Sequence, residues 1–198
     1  MLKKISTLGI SSLLLLACTG CDPITWIVGG TAIVGTETVR NKEGATGDMA
    51  DMYWKKRIKA ALYQKGNVFG DQTELAVKHG IVVVIGSFDT QEECDQAMEA
   101  VNSIKTTDVY NELSVGTKTK PGVFAQDSAL TTRISSALTF DGNVSSLNYD
   151  ITTVNGIVYI CGTALTAFER DIVLNHARST SGVVKVISYI KLAKPEEK

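Results

Sequence analysis

The sequence predicts an α+β protein made of two tandem copies of one small unit, each running helix, strand, strand, helix, strand. Three observations carry this prediction. One offset of 76 residues lays most of one half of the chain on the other. Each half holds a glycine turn between apolar, strand-like runs. Each hairpin is followed by a threonine with a glutamate three residues on, the mark of a helix start.

The first helix of each copy is read from Trp54, Arg57, Ile58, Ala61 and Leu62, which fall on Leu130, Arg133, Ile134, Ala137 and Leu138 at that offset. The apolar members stand at i, i+4, i+7 and i+8 and so line one stripe of a helix. In copy one this predicts a helix from Asp51 to Lys65, with Trp54, Ile58, Ala61 and Leu62 toward a sheet. Lys55, Lys56, Lys59 and Tyr63 then point outward. The hairpin follows, with strands expected over Leu75 to Lys78 and Asn148 to Val154 and with turns at His79-Gly80 and Asn155-Gly156. Glycine takes the positive φ of a tight turn, and Asn-Gly is the strongest short turn signal. In the strands that leave the turns, Val82, Val84, Val158 and Ile160 are expected to face the helices.

The second helix begins at Thr90 to Glu93 and at Thr166 to Glu169, each read as a reciprocal capping box. Cys94, Ala97, Met98, Val101 and Ile104 space its buried face in copy one, and Val173, Leu174 and Ala177 do so in copy two. A closing strand spans Val109 to Val115 and Val184 to Leu192, where the offset becomes 77 through one residue inserted around Ser181-Gly182. Two helices should then cover one face of each three-stranded sheet. Units of about 70 residues lie near the lower limit for an independent core, so contact between the copies is expected to contribute. The resulting boundaries are 48–116 and 124–193 for the two domains, with a linker 117–123 that contains Pro121 and a tail 194–198.

Ahead of the repeat, Lys3 and Lys4 precede an apolar run from Leu8 to Ala17, the pattern of an export signal over residues 1–17. Leu15-Leu16-Ala17-Cys18 resembles the lipobox read before a cysteine that is acylated, which makes Cys18 the expected anchor. Cys21 is the rival acceptor, but it lacks a leucine three residues upstream. Residues 18–47 are read as a lipidated N-terminus and tether. Within it, the apolar stretch Ile24 to Thr36 reaches only about 20 Å as a helix, short of a bilayer core of about 30 Å.

Of 20 basic residues, removing Lys3 and Lys4 leaves 18 against 21 acidic ones. That balance argues against nucleic acid as a partner, since no domain-wide basic surface exists to release counterions from phosphate. Cys94 and Cys161 sit on helix and strand patterns and are read as small buried apolar residues rather than a disulfide. His79 and His176, the only histidines, lack metal-ligand spacing and are read as a turn residue and an exposed helix residue. No nucleophile elbow or phosphate loop is present. Glu92, Glu93 and Asp95 occupy a first helical turn, where the helix dipole accounts for them. The chain is therefore read as non-enzymatic, with no metal or cofactor.

The duplicated segments Gly80-Ile81-Val82-Val83-Val84-Ile85-Gly86-Ser87-Phe88 and Gly156-Ile157-Val158-Tyr159-Ile160-Cys161-Gly162-Thr163-Ala164 resemble the BON domain. Asp108-Val109-Tyr110-Asn111-Glu112-Leu113 is similar to that family's last strand. With the lipobox, the chain resembles the dual-BON envelope lipoproteins. The resemblance implies an αββαβ fold, no catalysis, covalent diacylglycerol and N-acyl chains on the cysteine, and association with phospholipid membranes in support of outer-membrane integrity. It also implies an address: Thr19 after Cys18 permits the outer membrane, whereas Asp22 after Cys21 resembles an inner-membrane retention signal.

The expected partner is a phospholipid surface, best matched by anionic lipid, because a net-acidic protein places four cations within Lys55 to Lys59 beside aromatic residues. The candidate contact is Trp54, Lys55, Lys56, Lys59 and Tyr63, with Phe124, Leu130 and Arg133 of copy two as second choice. The other reading is a periplasmic scaffold that binds outer-membrane assembly or division proteins through sheet edges and helices.

Overall fold

The computed structural model describes residues 44–106, 108–116 and 121–193. The expected signal, both anchor cysteines and most of the tether lie outside the described residues. The elements are α1 (Gly44–Lys65), α2 (Asn67–Gln72), β1 (Thr73–Lys78), β2 (Ile81–Phe88), α3 (Gln91–Asn102) and β3 (Asp108–Val115). The second copy follows as α4 (Pro121–Phe140), a single 3-10 turn (Ser146–Asn148), β4 (Tyr149–Val154), β5 (Ile157–Ala164), α5 (Ala167–Ser179) and β6 (Lys185–Leu192).

Each copy forms a three-stranded sheet, in the orders β1-β2-β3 and β4-β5-β6. The first pair of each sheet is antiparallel, joined by the tight turn, and the second pair is parallel, joined across a helix. The registers repeat with the sequence offsets: Thr73 opposes Gly86 as Tyr149 opposes Gly162, and Ile81 opposes Asp108 as Ile157 opposes Lys185. Both turns have the two positive φ angles of type I′, 50° and 75° at His79-Gly80 and 54° and 74° at Asn155-Gly156.

A carboxylate from the first helix closes each turn. Asp51 accepts from the amides of His79 and Gly80 at 2.8 and 3.1 Å, and Asp127 accepts from those of Asn155 and Gly156 at 2.7 and 2.8 Å. The same offset of 76 relates the two aspartates. The sequence reading missed this pairing, although the repeat itself carried the signal.

Ile58, Leu62, Val82, Val84, Cys94, Ala97 and Val101 form one buried core, and Ile134, Leu138, Val158, Ile160, Val173 and Ala177 form its counterpart in copy two. The four strand residues expected to face the helices do so. Their neighbours Ile81, Val83 and Ile85, together with Ala76, pack on Tyr159 and Cys161 in a third core. The two sheets therefore meet through the faces opposite their helices, and β2 and β5 are covered on both sides. Tyr110 and Tyr189 stack with ring centroids 4.3 Å apart, Tyr189 donates to Glu112, and Lys191 pairs with Asp108 at 2.6 Å. Cys94 and Cys161 are free and buried, and burial raises both thiols above their usual range.

Several local expectations are corrected. Copy one has a third helix, α2, where copy two makes only a 3-10 turn. Pro121 lies in α4 rather than in a linker; at a first helical position its missing N–H is no loss. The reciprocal capping box is complete at Thr90 and Glu93. In copy two Thr166 accepts from the Glu169 amide at 3.0 Å, but the Glu169 carboxylate bonds the amides of Ser145 and Leu165 and thereby ties the 3-10 loop to α5.

His176 is half-buried rather than simply exposed, and its Nε2 lies 2.7 Å from the Asp141 carboxylate, joining α5 to the end of α4. This bond, with the Asn143 amide, holds the Asp141 carboxyl below the ordinary carboxylate range. A depressed folded-state value adds stability above the unfolded value of about 3.9, and that stability is lost as pH falls through the folded value. Urea melts of Asp141→Asn and the parent should therefore differ at neutral pH and converge as pH falls below about 4; an undiminished difference at pH 2 would contradict the linkage.

Candidate membrane-contact surfaces

The stripe read on α1 is placed as expected: Ile58 and Leu62 are buried, and Trp54 is half-buried against the first core. The basic residues are not a free outward cluster. Lys55 Nζ lies 3.2 Å from Asp150 of β4, whose carboxylate also accepts from the Val77 amide at 2.9 Å, so Lys55 joins the two copies. Lys59 is half-buried and donates to the Thr73 carbonyl, with its ammonium 6.0 Å from the Tyr63 ring centroid. Arg57 donates to Tyr53 Oη at 2.9 Å and stacks over that ring. Tyr63 donates to Asp71 at 2.9 Å, a bond that raises the phenol above its usual range. Among the described residues Lys56 alone of this group has no such tie. A side chain already held by a carbonyl or carboxylate loses part of its attraction to an outside anion, which is why periodicity overstated this face.

Copy two differs at the same positions. Phe124, at the start of α4, is 66% exposed. Leu130 is 4% exposed and presents little outward surface; it falls on Trp54 at the repeat offset and belongs to the inward stripe. Arg133 is exposed, and its Nε donates to the Ala129 carbonyl at 3.4 Å. It borders a groove of about 470 Å³ with Asp127, Leu130, Asn155, Gly156, Gly182 and Val184. Gly182 sits in the loop lengthened by the single inserted residue and has a φ of 97°; a Cβ there would lie 3.9 Å from Arg133 Nη2. The insertion and two glycines thus leave backbone-lined space beside a planar cation. Five fixed donors suit Arg to phosphate oxygens.

A second cavity, of about 490 Å³, lies between the copies and is bordered by Asp71, Glu74, Phe124, Ser128, Ile151 and Thr152. Asp71 and Glu74 there disfavour an anionic headgroup, whereas the one carboxylate of the Arg133 groove, Asp127, has both oxygens engaged by the Asn155 and Gly156 amides, so that groove is the better phosphate site. Among the described residues there is no group of three or more side chains able to hold a metal, and no helix is long and apolar enough to cross a membrane.

Comparison with known proteins gives the same division of the chain. It is 26% identical over 192 residues to the outer membrane lipoprotein DolP of Haemophilus influenzae, covering 96% of each chain. It is 30% identical over 138 residues to an uncharacterized protein in the gshII 5′ region of Anaplasma centrale, covering 69% of this chain and 90% of that one. It is 25% identical over 146 residues to the osmotically-inducible protein Y of Escherichia coli, covering 72% and 73%. The BON domain profile matches residues 54–117 and 126–194, the two repeats whose sheets, turns and caps are described above, and the chain belongs to the BON domain family.

Proposed function

We propose that the protein is a non-enzymatic phospholipid-binding module of the cell envelope. It is held at the periplasmic face of the outer membrane by acyl chains on Cys18, or at the inner membrane if Cys21 is the acylated residue, and it supports outer-membrane integrity. The observation that carries the lipid-binding part is Arg133 beside the groove at Asn155-Gly156 and Gly182, which offers guanidinium donors to a headgroup phosphate. Likeness over almost the whole chain to a protein named as an outer membrane lipoprotein supports the address. Lys56 of α1 adds a free cation in copy one. An acyl anchor converts such weak contacts to stable residence by making the encounter local.

The test uses the full chain with Cys18→Ser and Cys21→Ser, so that no anchor contributes. Binding to phosphatidylglycerol vesicles should weaken with salt, and Arg133→Glu should weaken it about ten-fold, since each cation near an anionic surface contributes about 1 kcal/mol. Lys55→Glu and Lys59→Glu should have smaller effects than Arg133→Glu. Equal binding by Arg133→Glu and the parent removes the groove as the contact. No vesicle binding by the parent at any salt favours the protein-binding scaffold instead.

A further inference from the structure

The two copies act as internal controls for one another, because a position that the fold needs to be apolar should be apolar in both. Four of the most exposed large apolar side chains gather at the end of copy two away from the Asn155-Gly156 turn. Phe140 is 88% exposed, Leu147 63%, Leu165 53% and Phe168 69%. At the repeat offset of 76 their counterparts in copy one are Gln64, Asp71, Asp89 and Glu92, all exposed. The matching helix and strand ends therefore form with polar residues at three of these positions, Asp71 at the fourth lies in α2 where copy two has its 3-10 turn, and none of the four apolar side chains belongs to the core of copy two. Near the corresponding end of copy one, among the described residues, Val68, Val115 and the hydroxyl-tethered Tyr63 leave large apolar surface exposed, and none of them is a repeat counterpart of the four.

Named contacts draw the segments that carry Leu147, Leu165 and Phe168 together. Glu169 accepts from the amides of Ser145 and Leu165 at 2.9 and 2.8 Å, which brings the 3-10 loop that carries Leu147 to the start of α5, where Phe168 lies. The Asp141–His176 bond ties the end of α4, with Phe140, to the C-terminal half of α5, eight residues or about 12 Å along the helix from Phe168, so Phe140 flanks the other three. We propose that this end is an apolar insertion surface that enters a phospholipid bilayer independently of headgroup charge. The proposal rests on the lipid-binding reading above and adds to it a second contact of different chemistry.

Three features favour a bilayer over a protein. The side chains protrude from loop and helix ends rather than lining a groove, and a bilayer needs no shape complementarity. Their exposed area is on the order of 500 Å², below the roughly 800 Å² that each partner contributes to a stable protein interface. Nearby backbone and charged groups already have partners, which lowers the cost of a low-dielectric medium: the Val144 amide bonds the Asp141 carbonyl, the Asn148 amide bonds the Ser145 carbonyl, and Arg170 pairs with Asp171.

The full chain without anchor cysteines is mixed with phosphatidylcholine and with phosphatidylglycerol vesicles, at low and at high salt. Phe140→Gln, Leu147→Asn, Leu165→Asn and Phe168→Gln are combined in one neutral variant. A second variant carries the residues found at the repeat offset in copy one, Phe140→Gln, Leu147→Asp, Leu165→Asp and Phe168→Glu. The parent should bind phosphatidylcholine at high salt, and both variants should lose about 100-fold of that binding while keeping the parent's melting behaviour. The neutral variant should retain the salt-sensitive, Arg133-dependent part of binding to phosphatidylglycerol. Equal binding of parent and neutral variant to phosphatidylcholine overturns the insertion surface and leaves the groove standing; a parent that binds phosphatidylglycerol but not phosphatidylcholine does the same. A parent that binds neither overturns both.

Discussion

Val83→Asp is expected to destabilise the protein by about 4 kcal/mol or more, because it places an unpaired carboxylate between two sheets. Val83 is fully buried in the core that also holds Ile81, Ile85, Tyr159 and Cys161, and that core contains residues of both copies. For a chain of this size the loss corresponds to about 10 °C or more in Tm. The parent should melt in one transition, since the helix-free face of each sheet is covered only by the other copy. The variant should melt earlier or in two steps, because the copies lose their common core while each keeps its helix-side core. Lys56→Asp, on the exposed side of α1, should shift Tm by little, as surface changes usually stay within about 0.5 kcal/mol. If calorimetry gives the two variants the same midpoint, the sheets do not pack as described.

Asp127→Ala should cost about 2–4 kcal/mol, since it leaves two turn amides without an acceptor and removes hydrogen bonds to a charged group. Asp127 is buried, and both of its oxygens are used, at 2.7 and 2.8 Å. Asp127→Asn retains one acceptor oxygen and should recover part of the loss. Asp51→Ala should cost somewhat less in copy one, where the Gly80 contact is longer at 3.1 Å. Hydrogen exchange gives the local readout: the amides of Asn155 and Gly156 should exchange much faster in Asp127→Ala, with those of His79 and Gly80 little changed. Unchanged exchange at Asn155 and Gly156 would mean that the turn geometry, rather than the carboxylate, protects them.

Much of the architecture was legible because it is written in local patterns. The i, i+4, i+7, i+8 stripe of α1 and α4, the two residues of each type I′ turn and the Thr90–Glu93 cap depend on neighbours a few residues away. The repeat then turned local signals into topology, since one offset reproduced strand register in both sheets. The four residues Val82, Val84, Val158 and Ile160 face the helices because strand alternation allows only two choices of side. What alternation could not show was that the other side is also covered. The run Ile81 to Ile85 is apolar at every position, which is the pattern of a strand buried on both faces.

The candidate sites were less legible, for a physical reason. Charge and exposure on a helix can be read from periodicity, but whether a cation is free depends on groups distant in sequence. Lys55 is held by Asp150, 95 residues away, and Lys59 by the carbonyl of Thr73. Arg133 was visible as the repeat counterpart of Arg57, yet its groove exists because one inserted residue carries Gly182 into a positive-φ loop beside it. The amino-acid pattern therefore set the elements, their order and their inward faces, since these follow from interactions within about ten residues. The pairing of the sheets, the loss of the basic cluster and the exposed apolar end of copy two arose in the folded chain, where side chains far apart in sequence compete for the same partners.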